Sequence, residues 1–249
     1  MHYVLSSQYE QCESNIDRTT EIDIWIWPLI GSSLNLNKME TLLSADETTR
    51  ARRFVKPIDS ARFIIARGTL RKILALYCQI NPQSISFNYN KYGKPTLGFC
   101  HFRPVHFNLS HSGNYAVLAV SNQCEIGVDI EEIKPFHEDI ATRFFSTNEC
   151  AVLANIKNED YLEAFYRCWT RKEAFVKAHG TGLTLPLNSF DVTVHKFLAP
   201  KITRLEGLVE PWHEWNLMNI NVPDTYTGAV VAHTMAHNTC LVYRDFQAL

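Results

Sequence analysis

The chain has 249 residues, of which 46% are hydrophobic and 20% are charged, and its formal net charge is −2. A chain of this length can bury a sizeable core, as one domain or as two closely packed ones. The small net charge excludes a dominant nucleic-acid-binding face, and no stretch approaches the roughly 20 apolar residues of a membrane span. The seven cysteines include no CxxC pair, which favours reduced thiols. We therefore expect a cytoplasmic protein that binds neither nucleic acid nor membranes.

The first half of the chain is predicted to contain helices followed by strands. A capping box at Ser44–Glu47 starts a helix that runs through Phe54, and Pro57 ends it. A turn at Tyr92–Pro95 requires the conformational freedom of its glycine. The other predicted elements are a strand over 22–29, a helix over 60–78, and strands over 85–89, 105–109 and 115–121.

The second half begins again with helices. Ser146–Glu149 forms another capping box, which starts a helix through about residue 155. A longer amphipathic helix follows from Tyr161, and Gly180 and Gly182 suit its C-terminal cap. The strands predicted for this half cover residues 125–131, 190–195, 214–222, 227–233 and 239–243.

The repeated order of these elements predicts the fold class. We expect an α+β fold built from two similar halves, residues 1–122 and 123–249, related by a pseudo-twofold axis. Each half would pack helices on a small, mostly antiparallel sheet. Because no low-complexity linker separates the halves, they should pack as one unit, with a ligand cleft at the join. We expect the chain to act as a monomer.

The helix that begins at Tyr161 places a carboxylate among apolar side chains. Its apolar residues follow the i, i+3, i+4, i+7 spacing, and Glu173 falls within about 30° of the centre of that stripe. A carboxylate in such a position is costly unless it is paired or bound to a metal. Glu173 is either part of an ion pair with Lys172, Lys177 or an arginine elsewhere, or a metal ligand or general base. Phe175 points to the opposite side and requires a covering element.

Two further carboxylates lie on one predicted strand. In the run IGVDIEE, Val128 and Ile130 face one side, and Asp129 and Glu131 face the other. The two carboxylates lie about 7 Å apart along the strand, and a bound divalent cation is the usual relief for such repulsion. A solvated strand face is the alternative. With Glu173 available as a third oxygen donor, the pattern favours magnesium.

A serine–histidine pair and a basic cluster complete the candidate residues. Ser110-His111 lacks the G-x-S-x-G surroundings of a serine hydrolase, which disfavours a catalytic triad. A hydroxyl, a histidine and the turn at Gly113 can instead contact phosphate oxygens. The cluster around Arg50 and Arg53 is either a solvated helix face or part of an anion site.

Five motifs in order along the chain carry a family resemblance. They are KYGKP, FNLSHSG, IGVDIEEIKP, RFFSTNE and WTRKEAFVKAHGTGL. Together they resemble the surfactin-type (Sfp-type) 4′-phosphopantetheinyl transferases, over roughly residues 42–192. The combination of W-x-x-K-E-A-x-x-K with a preceding G-x-D-x-E is highly specific, whereas either motif alone would not be.

The resemblance implies a reaction and its partners. The family transfers the phosphopantetheine arm of coenzyme A to a serine hydroxyl of an apo acyl, peptidyl or aryl carrier protein. The products are the holo carrier protein and adenosine 3′,5′-bisphosphate, and the reaction depends on Mg²⁺. The family fold is a pseudo-twofold pair of α+β halves with coenzyme A between them, in agreement with the elements predicted above.

The resemblance also implies roles for individual residues. Asp129, Glu131 and Glu173 would hold Mg²⁺ against the pyrophosphate. The catalytic residues would be Glu173, the implied base for the serine, together with Asp129 and Lys177. Contacts to the coenzyme A phosphates are implied for Arg50, Arg62, Ser110, His111, Lys172 and Lys177, and contacts on the adenine side for Tyr92, Gly93, Lys94 and Pro95.

One position departs from the family pattern. Relatives often place two basic residues, three apart, that hold the 3′-phosphate of coenzyme A. Here those positions are Glu47 and Arg50, so one cation is missing. The capping box begun by Ser44 gives a local reason for Glu47. We expect Glu47→Lys to lower the KM for coenzyme A.

We expect a docking surface for the carrier protein, and two alternative functions stay open. We expect an acidic carrier protein to dock over residues 133–136 and 143–145, where apolar side chains have basic neighbours. One alternative is a different Mg²⁺-dependent enzyme that acts on nucleotides or pyrophosphates. The other is a non-catalytic protein that binds coenzyme A or a carrier protein.

Overall fold

The structure is a computed structural model that describes residues 19–31, 35–98, 104–136, 140–206, 211–236 and 238–248. Its helices are α1 (Leu36–Glu40), α2 (Ala45–Ala51), α3 (Pro57–Cys78), α4 (Ile140–Phe144), α5 (Thr147–Ala154) and α6 (Asn158–His179). Its strands are β1 (Thr19–Pro28), β2 (Phe87–Tyr89), β3 (Pro95–Leu97), β4 (His106–Ser112), β5 (Tyr115–Ser121), β6 (Ile126–Glu132), β7 (Phe190–Val192), β8 (Ile202–Leu205), β9 (Trp215–Asn219), β10 (Tyr226–His233) and β11 (Asn238–Arg244).

The strands form two main sheets and two short ribbons. The N-terminal sheet has the order β11-β1-β5-β4, and the C-terminal sheet has the order β6-β10-β9. The ribbons pair β2 with β3 and β7 with β8. The β1–β11 pair is parallel, and the other pairs are antiparallel. The fold is therefore α+β with small, mostly antiparallel sheets, as the sequence predicted.

The two sheets and the two long helices lie in layers. One face of the N-terminal sheet packs on α3 through a core that includes Trp27, Leu74 and Leu118. Its other face meets the C-terminal sheet through a second core that includes Ile24 and Val128. The far face of the C-terminal sheet packs on α6. Each half thus covers its sheet with one long helix, and the sheets pack together in the middle.

The last strand differs from the predicted division of the chain into two halves. β11 belongs to the N-terminal sheet, where Ile22 of β1 pairs with Leu241. The guanidinium of Arg244, at the end of β11, also donates to Asp23 of β1 at 2.8 Å. By pairing with β1, the C-terminal strand covers an edge that would otherwise expose unpaired backbone groups. Residues near the C-terminus therefore complete the sheet of the first half.

The start of α3 also differs from the prediction. The helix begins at Pro57, the residue predicted to end the preceding helix. Proline is favoured in the first helical turn because its fixed φ suits the helix and its missing N–H needs no partner there. The short connection between α2 and α3 leaves Val55 96% exposed. Helix α2 already ends at Ala51, short of the predicted Phe54, so Pro57 starts α3 and does not end α2.

Helix α6 is covered on two sides. Phe175, which the sequence placed on the side away from the apolar stripe, is fully buried and packs against Phe190 and Trp215. The predicted covering element is therefore supplied by β7 and β9.

Among the helices in the described ranges, none combines the length and apolar character needed to cross a membrane.

Candidate functional site

The site is built where β4 of the N-terminal sheet lies beside β6 of the C-terminal sheet. Side chains from β4 bridge the two strands, since Asn108 accepts a hydrogen bond from the backbone N–H of Val128 at 2.9 Å. Two residues further along β4, Ser110 donates to Asp129 at 2.8 Å. The alternation of a strand places every second residue of β4 toward β6. Polar side chains therefore join the two halves at the predicted carboxylates.

Asp129 is buried and is held by two groups. Its Oδ1 accepts hydrogen bonds from Ser110 Oγ and, at 2.6 Å, from Lys177 Nζ on α6. Its Oδ2 is buried without a hydrogen-bond partner among the described residues. A buried carboxylate oxygen that lacks a donor is costly, so a ligand that binds it gains affinity.

The close packing of α6 on β6 explains how Lys177 reaches Asp129. A Cβ on Gly127 would lie 2.2 Å from both the backbone oxygen of Ala174 and the backbone nitrogen of Ala178. Only glycine fits there, so the strand approaches the helix backbone directly. The glycine of the G-x-D-x-E motif thus sets the distance between the carboxylates and the helix.

Glu131 and Glu173 extend the acidic group around Asp129. Burial raises the pKa of Glu131, and the charges of Asp129 and Glu173 raise it further, against a lowering by a hydrogen bond from Ser112. Burial also raises the pKa of Glu173, with a further rise caused by Asp129 and an opposing effect of Lys177. Repulsion from neighbouring carboxylates therefore adds to burial in raising the pKa values of Glu131 and Glu173.

These carboxylates do not form a closed metal site. Within the described ranges, no three His, Cys, Asp or Glu side chains lie close enough together to hold a metal ion. The donor set nevertheless fits a hard divalent cation, because all three candidate ligands are carboxylates and Asp129 Oδ2 has no other partner. A cation there would also relieve the repulsion that raises the pKa values of Glu131 and Glu173.

A cleft of about 280 Å³ opens in front of Lys177 and Glu173. It is lined by Tyr92, Gly93, Lys94, Pro95, Asn108, Leu109, Glu173, Val176, Lys177, Gly180 and Gly182. The predicted KYGKP turn and the predicted helix therefore face one space. Gly93 has a φ of +89°, which is the conformation that the turn requires of a glycine.

The predicted phosphate-contacting residues of the first half gather at the same end of β4. Desolvation by the surrounding atoms lowers the pKa of His111, and the charges of Lys177, Arg50 and Arg62 lower it further. Arg62 donates to Asn114 at 2.7 Å and to Asp59 at 3.2 Å, and its Nε is buried without a partner among the described residues. The result is a local excess of positive charge around His111, which favours an anionic ligand.

Two residues predicted to contact coenzyme A, Lys94 and Ser110, form hydrogen bonds within the protein. Lys94 Nζ is 2.7 Å from Glu125 and donates to the backbone oxygen of Ala178 at 3.0 Å. This ammonium therefore ties the turn to the end of α6. The hydroxyl of Ser110, which was predicted to contact the phosphates, donates to Asp129 and accepts from Lys177.

The prediction that Lys172 contacts the phosphates is contradicted by its burial. Lys172 is 0% exposed, and its Nζ lies 2.7 Å from Glu149 and 2.7 Å from the backbone oxygen of Leu187. A third contact goes to the backbone oxygen of Phe190 at 2.5 Å. Residues 172 and 177 are five apart on α6, so they point to different sides, and Lys172 anchors the core of the C-terminal half.

The structure gives Glu47 a structural role that argues against the effect expected of Glu47→Lys. Glu47 accepts the backbone N–H of Ser44, as the capping box predicted, but its carboxylate is buried and paired with Arg67 and Arg71. Burial alone would raise its pKa, and the hydrogen bonds and charges of the two arginines lower it instead. Its negative charge is thus neutralised inside the protein. It does not oppose a phosphate in solvent.

Two polar residues at the site, Asn108 and Ser112, were not predicted from the sequence. Ser112 donates from its Oγ to Glu131 at 2.6 Å and accepts the backbone N–H of Glu132 at 3.2 Å. A signal was present, because Asn108, Ser110 and Ser112 are small polar residues at every second position of one strand.

Comparison with known proteins gives matches along most of the chain. Residues 125–231 match the model of the 4′-phosphopantetheinyl transferase superfamily, and residues 31–123 match a model described as 4′-phosphopantetheinyl transferase, N-terminal. The 4′-phosphopantetheinyl transferase HetI of Nostoc sp. is 35% identical over 216 residues, which cover 85% of this chain and 87% of HetI. The 4′-phosphopantetheinyl transferase Sfp of Bacillus subtilis is 35% identical over 63% of this chain and 68% of Sfp. The 4′-phosphopantetheinyl transferase ffp of Bacillus subtilis is 36% identical over 64% of this chain and 70% of ffp.

Proposed function

The chain belongs to the Sfp-type 4′-phosphopantetheinyl transferases, and on that basis we propose that it transfers phosphopantetheine from coenzyme A to an apo carrier protein. The acceptor is a serine hydroxyl, and the second product is adenosine 3′,5′-bisphosphate. The observation that carries the proposal is the 2.6 Å pairing of Lys177 with Asp129, beside Glu173 in a cleft that the Tyr92–Pro95 turn closes.

The transfer requires a base for the serine and positive charge at the pyrophosphate. Glu173 would take the hydroxyl proton, directly or through a water, while the serine oxygen bonds to the β-phosphorus of coenzyme A. The bond from that phosphorus to the bridging oxygen breaks, and adenosine 3′,5′-bisphosphate leaves. Burial first, and then Asp129, raises the pKa of Glu173, which makes it a stronger base than an ordinary glutamate.

Positive charge for the leaving group would come from both halves. Lys177 contributes from α6, and Arg62 and Arg50 contribute from the first half, where their charges act on His111. Fixed cations in a partly desolvated cleft stabilise the charge that builds on phosphate oxygens. His111, whose pKa is lowered by desolvation and by these cations, would donate a hydrogen bond in its neutral form.

Mg²⁺ is part of the proposal. Asp129, Glu131 and Glu173 would hold the ion, and when bound it would neutralise the pyrophosphate that is attacked. Asp129 Oδ2, buried and without a partner among the described residues, supports this assignment on this chain's own geometry.

The carrier protein would dock beside β6. Phe136 packs on Phe165 with ring centroids 4.5 Å apart, and Lys134 remains 59% exposed. Arg143 lies over the ring of Phe144, whereas Phe145 is buried and cannot form part of the surface. The docking surface that we propose therefore consists of Lys134, Phe136, Arg143 and Phe144, a basic and aromatic patch for an acidic carrier.

The experiment that tests this function uses the whole protein, coenzyme A, Mg²⁺ and an apo carrier protein. The expected result is a carrier that gains one phosphopantetheine on its serine, with release of adenosine 3′,5′-bisphosphate. Excess chelator should abolish the transfer, and Mg²⁺ or Mn²⁺ should restore it. A carrier with serine replaced by alanine serves as the control.

Two outcomes would favour the alternative functions. Binding of coenzyme A or carrier without any transfer would identify a non-catalytic binding protein. Release of nucleotide without modification of the carrier would identify a different Mg²⁺-dependent enzyme that acts on pyrophosphates. The intact set of Asp129, Glu131, Glu173 and Lys177 speaks against the binding protein.

A further inference from the structure

Two consecutive glutamates end strand β6, and only one of them was predicted as a metal ligand. On a strand, Glu131 and Glu132 point to opposite faces, so the backbone at this end decides which carboxylate joins Asp129. Glu132 is turned away, with its Oε2 2.6 Å from Lys134 Nζ. Which glutamate lies beside Asp129 therefore depends on the backbone position at this strand end as well as on the residue type.

One hydroxyl from the other half contacts both glutamates. Ser112 Oγ donates to Glu131 Oε2 at 2.6 Å and accepts the backbone N–H of Glu132 at 3.2 Å. The first hydrogen bond fixes the carboxylate of Glu131, and the second fixes the backbone that carries it. Since a hydroxyl can donate once while also accepting, both of these functions are met by the same atom.

The same strand holds the neighbouring carboxylate in the same way. Ser110 Oγ donates to Asp129 Oδ1 at 2.8 Å, two residues before Ser112. The pattern of β4 therefore matches the pattern of β6, with one serine for each carboxylate. Groups that hydrogen-bond to metal ligands orient them, and their loss usually weakens metal binding about 10–100-fold.

We propose that Ser112 is a positioning residue that holds Glu131 in place for the divalent cation of the transfer reaction. The inference rests on the proposed function, because it takes Glu131 as a metal ligand. It adds that the N-terminal half contributes to metal binding through a residue that touches neither the metal nor coenzyme A. A glutamate side chain has three rotatable bonds, so without this hydrogen bond Glu131 would sample several rotamers.

The test measures Mn²⁺ binding by electron paramagnetic resonance with coenzyme A present and no carrier protein, so that no turnover occurs. Ser112→Ala should weaken Mn²⁺ binding about 10-fold or more, and Ser112→Thr, which keeps the hydroxyl, should restore it. Thermal unfolding of each variant checks that it is folded. In a separate turnover assay with apo carrier protein and saturating metal, the KM for coenzyme A should not change.

Ser121→Ala is the matched control. Ser121 lies at the end of β5, and its hydroxyl also donates to a backbone oxygen, that of Glu21, and accepts a backbone N–H, that of Gln123, with a further weak contact from Cys124 Sγ at 3.8 Å. Removing this hydroxyl has a similar structural cost but touches no candidate metal ligand. Mn²⁺ binding by Ser121→Ala should equal that of the wild type.

A double-mutant cycle decides whether Ser112 acts through Glu131. In a Glu131→Gln background, Ser112→Ala should cause no further loss of Mn²⁺ affinity. An equal loss in both backgrounds, or wild-type Mn²⁺ affinity in Ser112→Ala, would overturn the inference. These results leave the proposed function intact if the wild type modifies its carrier. A wild type that binds Mn²⁺ but modifies no carrier would overturn the proposed function alone.

Discussion

Glu173 is the carboxylate at the site whose protonation should matter most. It forms no hydrogen bond to another residue in the described ranges, and burial followed by the charge of Asp129 raises its pKa. The ionised form is therefore the costly form in the folded protein. As pH rises through this raised pKa, the folded state loses stability relative to the unfolded state, in which the pKa is ordinary.

Glu173→Gln should separate activity from stability. If Glu173 is the base, the transfer rate should fall about 10²–10⁴-fold. Without Mg²⁺ at neutral pH, the variant should be at least as stable as the wild type, because an unfavourable charge is gone. Initial rates and urea unfolding measure the two effects. Glu163→Gln, on the same helix but 50% exposed and paired with Arg167, is the control.

Glu47→Lys is expected to damage the fold. The substitution would place a third cation beside Arg67 and Arg71, which Glu47 now neutralises. Breaking a buried ion pair costs about 3–5 kcal/mol, so the variant should unfold at clearly lower urea concentration. Thr49→Lys introduces the same side chain at an exposed position of α2 and should leave stability unchanged. A stable Glu47→Lys variant with a lower KM for coenzyme A would contradict the ion-pair assignment.

The residue scale shows which features a sequence can predict. The sequence placed Glu173 and Lys177 one turn apart, and the spacing of a helix was enough for that. Lys172 pairs with Glu149, and Glu47 pairs with Arg67 and Arg71. These partners are distant in sequence. Ion pairs of that kind depend on the tertiary packing, so spacing along one element could not identify them.

At the scale of elements, the contact between β6 and α6 sets the geometry of the site. Gly127→Ala would introduce a Cβ 2.2 Å from the backbone of α6. Overpacking of this kind costs about 1–3 kcal/mol, and the helix that carries Glu173 and Lys177 would have to shift. A displacement of about 1 Å in a catalytic group can lower a rate about 100-fold, so activity should fall more than stability.

Gly31→Ala provides the comparison for this prediction. A Cβ at Gly31 would have no neighbour within 4 Å, so this variant is affected only by its φ of +62°. The transfer rate should therefore fall in Gly127→Ala and not in Gly31→Ala, and thermal unfolding of both variants measures the accompanying change in stability. Wild-type activity in Gly127→Ala would mean that the distance between strand and helix is not critical for transfer.

The elements themselves were largely predictable because their signals are local. The capping boxes at Ser44 and Ser146 mark helices that begin at Ala45 and Thr147. The pairing of β11 with β1 was missed, since a strand pattern does not reveal which sheet the strand joins. The start of α3 was predicted at about Ser60, whereas the helix begins at Pro57, because proline disfavours a helix interior but is favoured in the first helical turn.

At the scale of the whole molecule, the halves are held together beside the cleft by a small polar network. Glu125 is paired with Lys94 at 2.7 Å and with His106 at 2.8 Å. The hydrogen bond with His106 first, and then those with Lys94, outweigh burial and lower the pKa of Glu125 to about 2. Asn90 adds a hydrogen bond to the backbone oxygen of Gly180 at 2.8 Å.

The lowered pKa of Glu125 predicts how stability depends on pH. Its contribution is present above the ordinary glutamate pKa and is lost as pH falls toward about 2. Glu125→Gln should therefore be less stable than the wild type at about pH 6, and the difference should shrink at about pH 3. Urea unfolding at both pH values measures it. A difference that stays constant would contradict the predicted role of this carboxylate.

The most direct test of the whole account is the intact mass of an apo carrier protein after incubation with coenzyme A, Mg²⁺ and enzyme. The wild type should add one phosphopantetheine to every carrier molecule. Asp129→Asn keeps the shape of the side chain but loses the charge that pairs with Lys177, and it should leave the carrier unmodified over the same time. Full modification by Asp129→Asn, or an unchanged carrier mass with the wild-type enzyme, would contradict the account.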